Sequence, residues 1–200
     1  MLKIGITGGI GTGKTTVCRM FEKLAVPVYY ADDRARWISN HNEKVIAQLK
    51  AIFGENIYTS NGELDRPKIG AIVFKDKEKL AALNAVVHPA VFEDGDRWQA
   101  EMKAAGHAYT LKEAALLFET GSNKLLDKII VVTAPEALRI ERVMKRDNLT
   151  EEEVRARLQS QMPQAEKEAL ADFLVHNITL ESLEAQVLAL HQEILSLIKL

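Results

Sequence analysis

One short segment near the start of the chain constrains its fold more than any other feature. Residues 8–15 have the sequence GGIGTGKT and match the pattern G-x-x-x-x-G-K-[ST] in full. An apolar segment over residues 2–7 precedes them, and apolar side chains recur every three or four positions over 14–24. This order predicts a buried strand, a glycine-rich turn and a helix that faces a core. Because such a turn presents main-chain N–H groups to an anion at a helix N-terminus, the segment predicts nucleotide binding.

The residues of this loop have specific predicted roles. Lys14 can reach the β- and γ-phosphates of the nucleotide, and the Thr15 hydroxyl can hold Mg²⁺. A glycine-rich turn with a chance lysine is the alternative, and the flanking strand and helix patterns argue against it. The predicted nucleotide-binding residues of the loop are Gly11, Thr12, Gly13, Lys14, Thr15 and Thr16.

Strand and helix patterns alternate along the chain and predict an α/β fold. We expect a P-loop three-layer sandwich with a five-stranded parallel sheet, because the strand segments are short and apolar. The predicted strands cover residues 2–7, 26–30, 108–116, 128–133 and 172–177. The helices predicted after the first one cover residues 32–40, 43–53, 65–74, 76–104, 135–146, 150–160, 163–170 and 180–198.

The same pattern predicts three functional parts. Residues 31–106 are mainly helical and separate the second strand from the third, so we expect a helical insertion between these two strands. The segment 151–157 is highly charged and is typical of a mobile lid, which we place at residues 141–170. The predicted nucleotide-binding core comprises residues 1–30, 107–140 and 171–200.

Composition excludes several classes of protein. Lys plus Arg number 26 and Asp plus Glu number 28, which argues against a protein built to bind nucleic acid. No apolar run approaches the roughly 20 residues of a membrane-spanning helix. The first residues lack the layout of a signal peptide, so we expect a cytoplasmic protein without a membrane anchor. The single cysteine, Cys18, excludes an internal disulfide and is expected to pack in the core; composition predicts no oligomeric state.

Charged residues near the predicted loop offer two kinds of catalytic group. Asp32 and Asp33 follow the second strand, and ligands of open parallel sheets lie at the carboxyl ends of strands. A carboxylate there could accept a proton from an attacking hydroxyl or could cap a helix, and position alone does not separate the two. Arg139, Arg142 and Arg146 share one face of a predicted helix, which could neutralise a moving phosphoryl group or form a solvated surface.

The surroundings of the loop narrow the class of nucleotide-binding protein. Guanine-specific proteins usually carry an N-K-x-D run, whereas residues 123–127 place the aspartate one residue too late. Motor ATPases generally end an apolar strand with an acid, whereas the strand at 128–133 leads into Ala134 and Pro135. Small size and a helical insertion after the second strand favour a kinase for a small molecule.

Several segments together resemble one family, dephospho-CoA kinase. The run L-N-x-x-x-H-P at residues 83–89 is the most discriminating, since other small P-loop kinases lack it. The other segments that carry the resemblance are residues 7–16, 31–36, 116–119, 142–147, Gln161 and residues 171–172. The resemblance covers nearly the whole chain. It implies that the ribose 3′-hydroxyl of dephospho-CoA is phosphorylated by ATP with Mg²⁺, so that ATP and dephospho-CoA are the small-molecule partners.

The resemblance also implies roles for residues on the acceptor side. Asp32 resembles the family's catalytic base, and the helical insertion resembles its CoA-binding domain. Asn84 and His88 are expected to shape the acceptor site. Glu119 is expected near the acceptor too, although a glutamate on a helix surface is an equally good account of it.

On the donor side, the resemblance implies that Arg142 and Arg146 contact the phosphates or the adenine of ATP. Two departures from the family pattern are Tyr30, where an aspartate is usual, and Ala115, where a proline is frequent. The charged pair at 112–113 is also unusual, and a structural role and a contact with Mg²⁺ or substrate both remain open. The expected catalytic residues are Asp32, Lys14 and Arg142.

Two alternative functions remain open at this point. One is a kinase for another nucleotide or metabolite, such as a nucleoside monophosphate. The other is a non-enzymatic switch that binds ATP and a protein partner.

Overall fold

The computed structural model describes residues 1–198, which form two compact units. One unit comprises Met1–Tyr30 together with the chain from Glu101 onward, and the other comprises Ala31–Ala100. The first unit contains the sheet, and the second is helical. The apolar cores of the first unit are separate from that of the helical unit.

The sheet of the first unit has five strands, and every neighbouring pair is parallel. The strands are β1 (Leu2–Thr7), β2 (Val28–Tyr30), β3 (Tyr109–Glu113), β4 (Lys128–Thr133) and β5 (Phe173–His176). Their spatial order is β2-β3-β1-β4-β5, so the strand that leads into the phosphate loop lies in the centre. The predicted five-stranded parallel α/β fold is confirmed.

The helices match the predicted pattern closely, with ends within two residues of those expected. They are α1 (Lys14–Lys23), α2 (Ala31–His41), α3 (Glu43–Phe53), α4 (Arg66–Lys75), α5 (Lys77–Ala104), α6 (Glu136–Asp147), α7 (Glu151–Gln159), α8 (Gln164–Ala169) and α9 (Leu180–Ile198). Short 3-10 turns occupy Glu55–Ile57 and Ser122–Leu125. The third strand is shorter than predicted and ends at Glu113. Ala114 donates a last sheet hydrogen bond to Ile6, and the chain then turns.

Both faces of the sheet are covered, which explains the continuous apolar sequence of β4. Ile130 and Val132 face one core together with residues of α1 and α9, such as Phe21. Ile129 and Val131 face the opposite core. Alternate residues of a strand point to opposite faces, so a strand covered on both sides is apolar at consecutive positions, as β4 is over residues 129–132. Cys18 lies in the first core, fully buried as expected, and burial raises the pKa of its thiol.

The helical unit packs around a separate apolar core to which α2, α3, α4 and α5 contribute. Its fully or nearly buried residues include Ile38, Leu49 and Ile57. A buried carboxylate, Asp94 on α5, accepts two hydrogen bonds from the guanidinium of Arg34 on α2, at 2.8 and 2.6 Å. This bidentate pair ties the first helix of the unit to the last.

Candidate active site

The phosphate loop lies between the carboxyl end of the central strand and the first turn of α1. Gly13 is the N-cap of α1, with φ of 86°, a left-handed conformation that glycine adopts without strain. A Cβ atom at this position would lie 2.0 Å from the side-chain nitrogen of Asn177. Both the backbone conformation and the close neighbour therefore require glycine here.

The loop lysine lies beside a buried acid. The Nζ of Lys14 donates a hydrogen bond of 3.0 Å to the carbonyl oxygen of Gly8, and it lies 4.0 Å from Oε1 of Glu113. Glu113 is the last residue of β3, the strand next to β1, and is 7% exposed. The sequence left the role of the charged pair at 112–113 open, and the structure places its second member next to the loop lysine. A carboxylate at that position stabilises the ammonium charge in a partly buried site.

The threonines of the loop have different environments. The side chain of Thr12 is fully buried, and its hydroxyl donates to the carbonyl oxygen of Gly9 at 2.9 Å, which stiffens the loop from inside. Thr15 and Thr16 are exposed in the first turn of α1. The Thr15 hydroxyl is therefore accessible to a ligand at the helix N-terminus, as its expected role requires.

Asn177, directly after β5, contacts the loop from the opposite side and was not singled out by the sequence. Its side-chain nitrogen donates a hydrogen bond of 2.8 Å to the carbonyl oxygen of Thr12, and the residue is 6% exposed. The same side chain accepts from Arg142 at 3.4 Å, and its main-chain oxygen accepts from Arg142 at 3.2 Å. A polar residue at the carboxyl end of a parallel strand was the available signal.

The three arginines of α6 have distinct positions despite their shared helical face. Arg139 is buried, and its Nε donates to the carbonyl oxygen of Ile10 at 3.0 Å, so it supports the loop. Burial lowers the pKa of this guanidinium. Arg142 is bound to Asn177, as described above. Arg146 is exposed and forms a bidentate pair with Asp147, at 2.7 and 2.9 Å. Arg139 therefore connects α6 to the loop, and Arg142 connects it to Asn177 beside the loop.

Glu119 lies at a junction between two parts of the first unit. It forms an ion pair of 2.8 Å with Lys167 on α8, and Lys167 is fully buried. Lys167 also donates to the carbonyl oxygen of Ala115 at 3.2 Å, and Glu119 accepts from the main-chain N–H of Met162 at 3.1 Å. These contacts give Glu119 a structural function; its expected contact with the acceptor stays a prediction.

The remaining predicted site residues belong to the helical unit. Asp32 lies in the first turn of α2 with an exposed side chain, and its neighbour Asp33 pairs with Arg36 at 3.3 Å. Asn84 and His88 lie four residues apart on α5, and therefore on one face of that helix. His88 is exposed, and Asn84 is half-buried.

The part of the chain that the structure describes contains no group of three or more His, Cys, Asp or Glu side chains able to hold a metal ion. The oxygen ligands near the loop, the Thr15 hydroxyl and the Glu113 carboxylate, fit Mg²⁺ that arrives with a nucleotide, because Mg²⁺ keeps several waters and binds few protein groups. Within residues 1–198, no helix is long and apolar enough to cross a membrane. The cytoplasmic location expected from the sequence stays a prediction.

Comparison with known proteins identifies the family. The family model for dephospho-CoA kinase matches residues 2–182. The dephospho-CoA kinase of Bacillus anthracis is 41% identical over 174 residues, which are 87% of each chain. A crystal structure of TT1252 from Thermus thermophilus superposes with a TM-score of 0.84 and 35% identity, over 96% of both chains. The dephospho-CoA kinase of Campylobacter jejuni superposes with a TM-score of 0.73 and 28% identity, over 97% of both chains. With its phosphate loop, parallel sheet and helical insertion, the chain belongs to the dephospho-CoA kinase family.

Proposed function

We propose that this protein transfers the γ-phosphoryl group of ATP to the ribose 3′-hydroxyl of dephospho-CoA, which gives coenzyme A. The observation that carries the proposal is the complete phosphate loop, with Lys14 beside Glu113, in a chain that matches the family over residues 2–182. Phosphoryl transfer requires little covalent chemistry from the protein, so positioning and charge stabilisation supply most of the rate.

On the donor side, the loop amides and Lys14 hold the triphosphate. Several N–H groups at the N-terminus of α1 face one anion, and the helix dipole adds to their attraction. The ammonium of Lys14 can donate three hydrogen bonds. It binds phosphate oxygens in this proposal, and its bond to the Gly8 carbonyl is the one that gives way. Mg²⁺ bound beside ATP would neutralise part of the phosphate charge. The Thr15 hydroxyl would supply a protein ligand, and the Glu113 carboxylate, 4.0 Å from the Lys14 Nζ, would order waters around the ion.

Arg142 and Arg146 have separate proposed roles on the nucleotide. Arg142 is fixed beside Asn177 at the loop, where its guanidinium stabilises negative charge that develops on the transferred group. Arg146 is exposed and exchanges its bond to Asp147 for the nucleotide. The segment 141–170 is proposed to close over the bound ATP and exclude water, as mobile segments do in other kinases.

On the acceptor side, Asp32 is the proposed base. Its carboxylate accepts the proton of the 3′-hydroxyl as that oxygen attacks the γ-phosphorus in line with the leaving ADP. Asn84 and His88, on one face of α5, are proposed to bind dephospho-CoA, and Glu119 is also a proposed substrate-binding residue. These assignments rest on the match of each residue to the family pattern.

A substrate panel tests the proposal. The purified protein is incubated with Mg-ATP and either dephospho-CoA or a set of nucleoside monophosphates, and ADP release is coupled to an optical assay. We expect turnover with dephospho-CoA alone, and a product heavier by one phosphoryl group in mass spectrometry. Turnover of a nucleoside monophosphate instead would assign the protein to another class of kinase. ATP binding without any phosphorylated product would favour a nucleotide-dependent switch.

A further inference from the structure

The outer turn of the phosphate loop is held by side chains from outside the loop. The N–H of Gly9 donates to Oε1 of Gln164, and the N–H of Ile10 donates to Oε1 of Gln161, each at 2.9 Å. The carbonyl oxygen of Ile10 accepts from Arg139 at 3.0 Å. Three side chains from the region of α6 to α8 therefore fix two consecutive residues of the loop.

Gln164 is itself held in one orientation. Its side-chain nitrogen donates to the carbonyl oxygen of Val132 at 3.3 Å and to Oε1 of Glu168 at 3.2 Å. Glu168 Oε1 also accepts from the hydroxyl of Thr133 at 2.5 Å. Because two acceptors face the nitrogen of the Gln164 amide, its oxygen faces the loop. This side chain anchors the loop to β4, the strand beside it.

Gln161 connects the loop to a different element. It lies in the short connection after α7, where its main-chain N–H donates to the carbonyl oxygen of Leu158 at 3.3 Å. The next residue, Met162, is held by Glu119 at 3.1 Å. Most of α7 is exposed, with Val154 as its one buried residue. A displacement of α7 would therefore be transmitted to Gln161, whose side-chain oxygen holds the N–H of Ile10.

Glutamine at position 161 suits a place beside a bound triphosphate, because its side chain is a neutral hydrogen-bond acceptor. A glutamine oxygen satisfies the N–H of Ile10 without adding negative charge near the phosphates. A carboxylate in its place would accept the same bond but repel the nucleotide. An apolar side chain would leave a partly buried N–H without its acceptor, at a cost in free energy. A neutral acceptor of this length meets both requirements.

We propose that Gln161 is a positioning residue for ATP that couples the end of α7 to the shape of the phosphate loop. By fixing Ile10, it orients the amides that follow from Gly11 to Lys14, which receive the phosphates. It does not contact the reacting atoms. The inference rests on the proposed function insofar as ATP is the ligand of the loop.

The test measures ATP binding without an acceptor, by calorimetry with Mg-ATP. We expect Gln161→Met to weaken the Kd about tenfold, the effect of one hydrogen bond to a partly buried donor. The kcat at saturating ATP should change less than about twofold, because the reacting groups are intact. In hydrogen exchange, the amide of Ile10 should exchange faster in this variant. Gln159→Met, two residues earlier at the exposed end of α7, is the matched control and should behave as wild type.

A second variant separates the effect of the hydrogen bond to Ile10 from the effect of charge at position 161. Gln161→Glu keeps the acceptor, so the Ile10 amide should stay protected while the Kd weakens at low salt and approaches the wild-type value at high salt. Wild-type affinity in Gln161→Met would overturn the proposal, and so would tighter binding, which would mean that Gln161 competes with a phosphate oxygen for Ile10. An affinity of Gln161→Glu equal to wild type at low salt would also overturn it. If the wild-type protein itself fails to bind Mg-ATP, the proposed function is wrong instead.

Discussion

The side-chain nitrogen of Asn177 donates a hydrogen bond of 2.8 Å to the carbonyl oxygen of Thr12, across 165 positions of sequence. The same side chain accepts from Arg142, so one buried amide links the end of β5 to the phosphate loop and to α6. This link predicts that Asn177 is needed for nucleotide affinity although no motif marks it. If the side chain were removed, the Thr12 carbonyl would lose its donor and Arg142 would keep only its bond to the main-chain oxygen of this residue.

Asn177→Ala should raise the KM for ATP by about tenfold and lower the free energy of unfolding by about 1–3 kcal/mol, because the buried Thr12 carbonyl loses its donor and the Arg142 guanidinium loses one of its two bonds to this residue. Steady-state kinetics and denaturant titration measure the two effects. The control is Asn123→Ala, in the 3-10 turn at Ser122–Leu125, for which we expect wild-type kinetics. Equal ATP KM values for Asn177→Ala and wild type would contradict the prediction.

Gly11 is required by the helix that passes beneath it. Its φ is +81°, and a Cβ atom there would lie 2.5 Å from the main-chain oxygen of Arg139 on α6. Gly11→Ala should therefore destabilise the protein and weaken ATP binding, because relief of the contact requires movement of backbone. Gly121→Ala is the matched control, since Gly121 has φ of +71° and open space around the added atom. The control should cost about 1–2 kcal/mol from backbone strain alone. A similar loss of stability in both variants, measured by thermal unfolding, would show that the contact with the Arg139 main-chain oxygen has no effect.

Local patterns predicted the strands, the helices and the phosphate loop, because alternation, helical spacing and glycine placement act over a few neighbouring residues. The predicted C-terminal end of β3, residue 116, was three residues too late. The apolar residues after Glu113 pack in a turn, which has no distinct periodicity in the sequence. The contacts of Arg139 and Gln161 with Ile10 span 129 and 151 positions. No local pattern encodes such contacts, so Arg139 could be assigned to a helix face but not to a partner.

Lys14 should be essential for turnover but not for folding. Its ammonium group is bound to the Gly8 carbonyl and lies near Glu113, and in the proposed complex it contacts the phosphates. Lys14→Ala should lower kcat/KM by about 10²–10³-fold, the scale for loss of one charge-stabilising group. The protein should still fold, with a lower melting temperature because the buried Glu113 loses the nearby ammonium group. Lys23→Ala, in the last turn of the same helix and exposed, should leave both quantities unchanged. Wild-type turnover in Lys14→Ala would remove the loop from the mechanism.

The Glu119–Lys167 pair predicts a change of stability in acid. Partial burial raises the pKa of Glu119, but hydrogen bonds from Lys167 and from the N–H of Met162 outweigh it and hold the pKa below its ordinary value of 4.5. A carboxyl group with a lowered folded-state pKa stabilises the protein above its unfolded pKa, and this contribution is lost as the pH falls through the folded value.

Glu119→Gln should therefore lower the free energy of unfolding at neutral pH by about 3 kcal/mol, because it leaves the buried Lys167 charge without its counter-ion. The difference from wild type should shrink as the pH falls below about 4.5. Denaturant titrations at several pH values measure it, with Glu166→Gln on the exposed face of α8 as control. A difference that is independent of pH would mean that the charge of Glu119 does not contribute.

Asp32 and Asp33 offer a direct comparison of two neighbouring carboxylates. Both lie in the first turn of α2 and are exposed, but Asp33 pairs with Arg36, whereas Asp32 is the proposed base. Asp32→Asn should lower kcat by about 10²–10⁴-fold, because an amide cannot accept the proton of the attacking hydroxyl. The ATP KM should change less than about twofold, since the donor groups are untouched. Asp33→Asn makes the same change of charge at the same helix end, so it should retain nearly full kcat. Similar kcat losses in both variants would attribute the effect to charge at the start of α2, and near-normal kcat in Asp32→Asn would exclude it as the base.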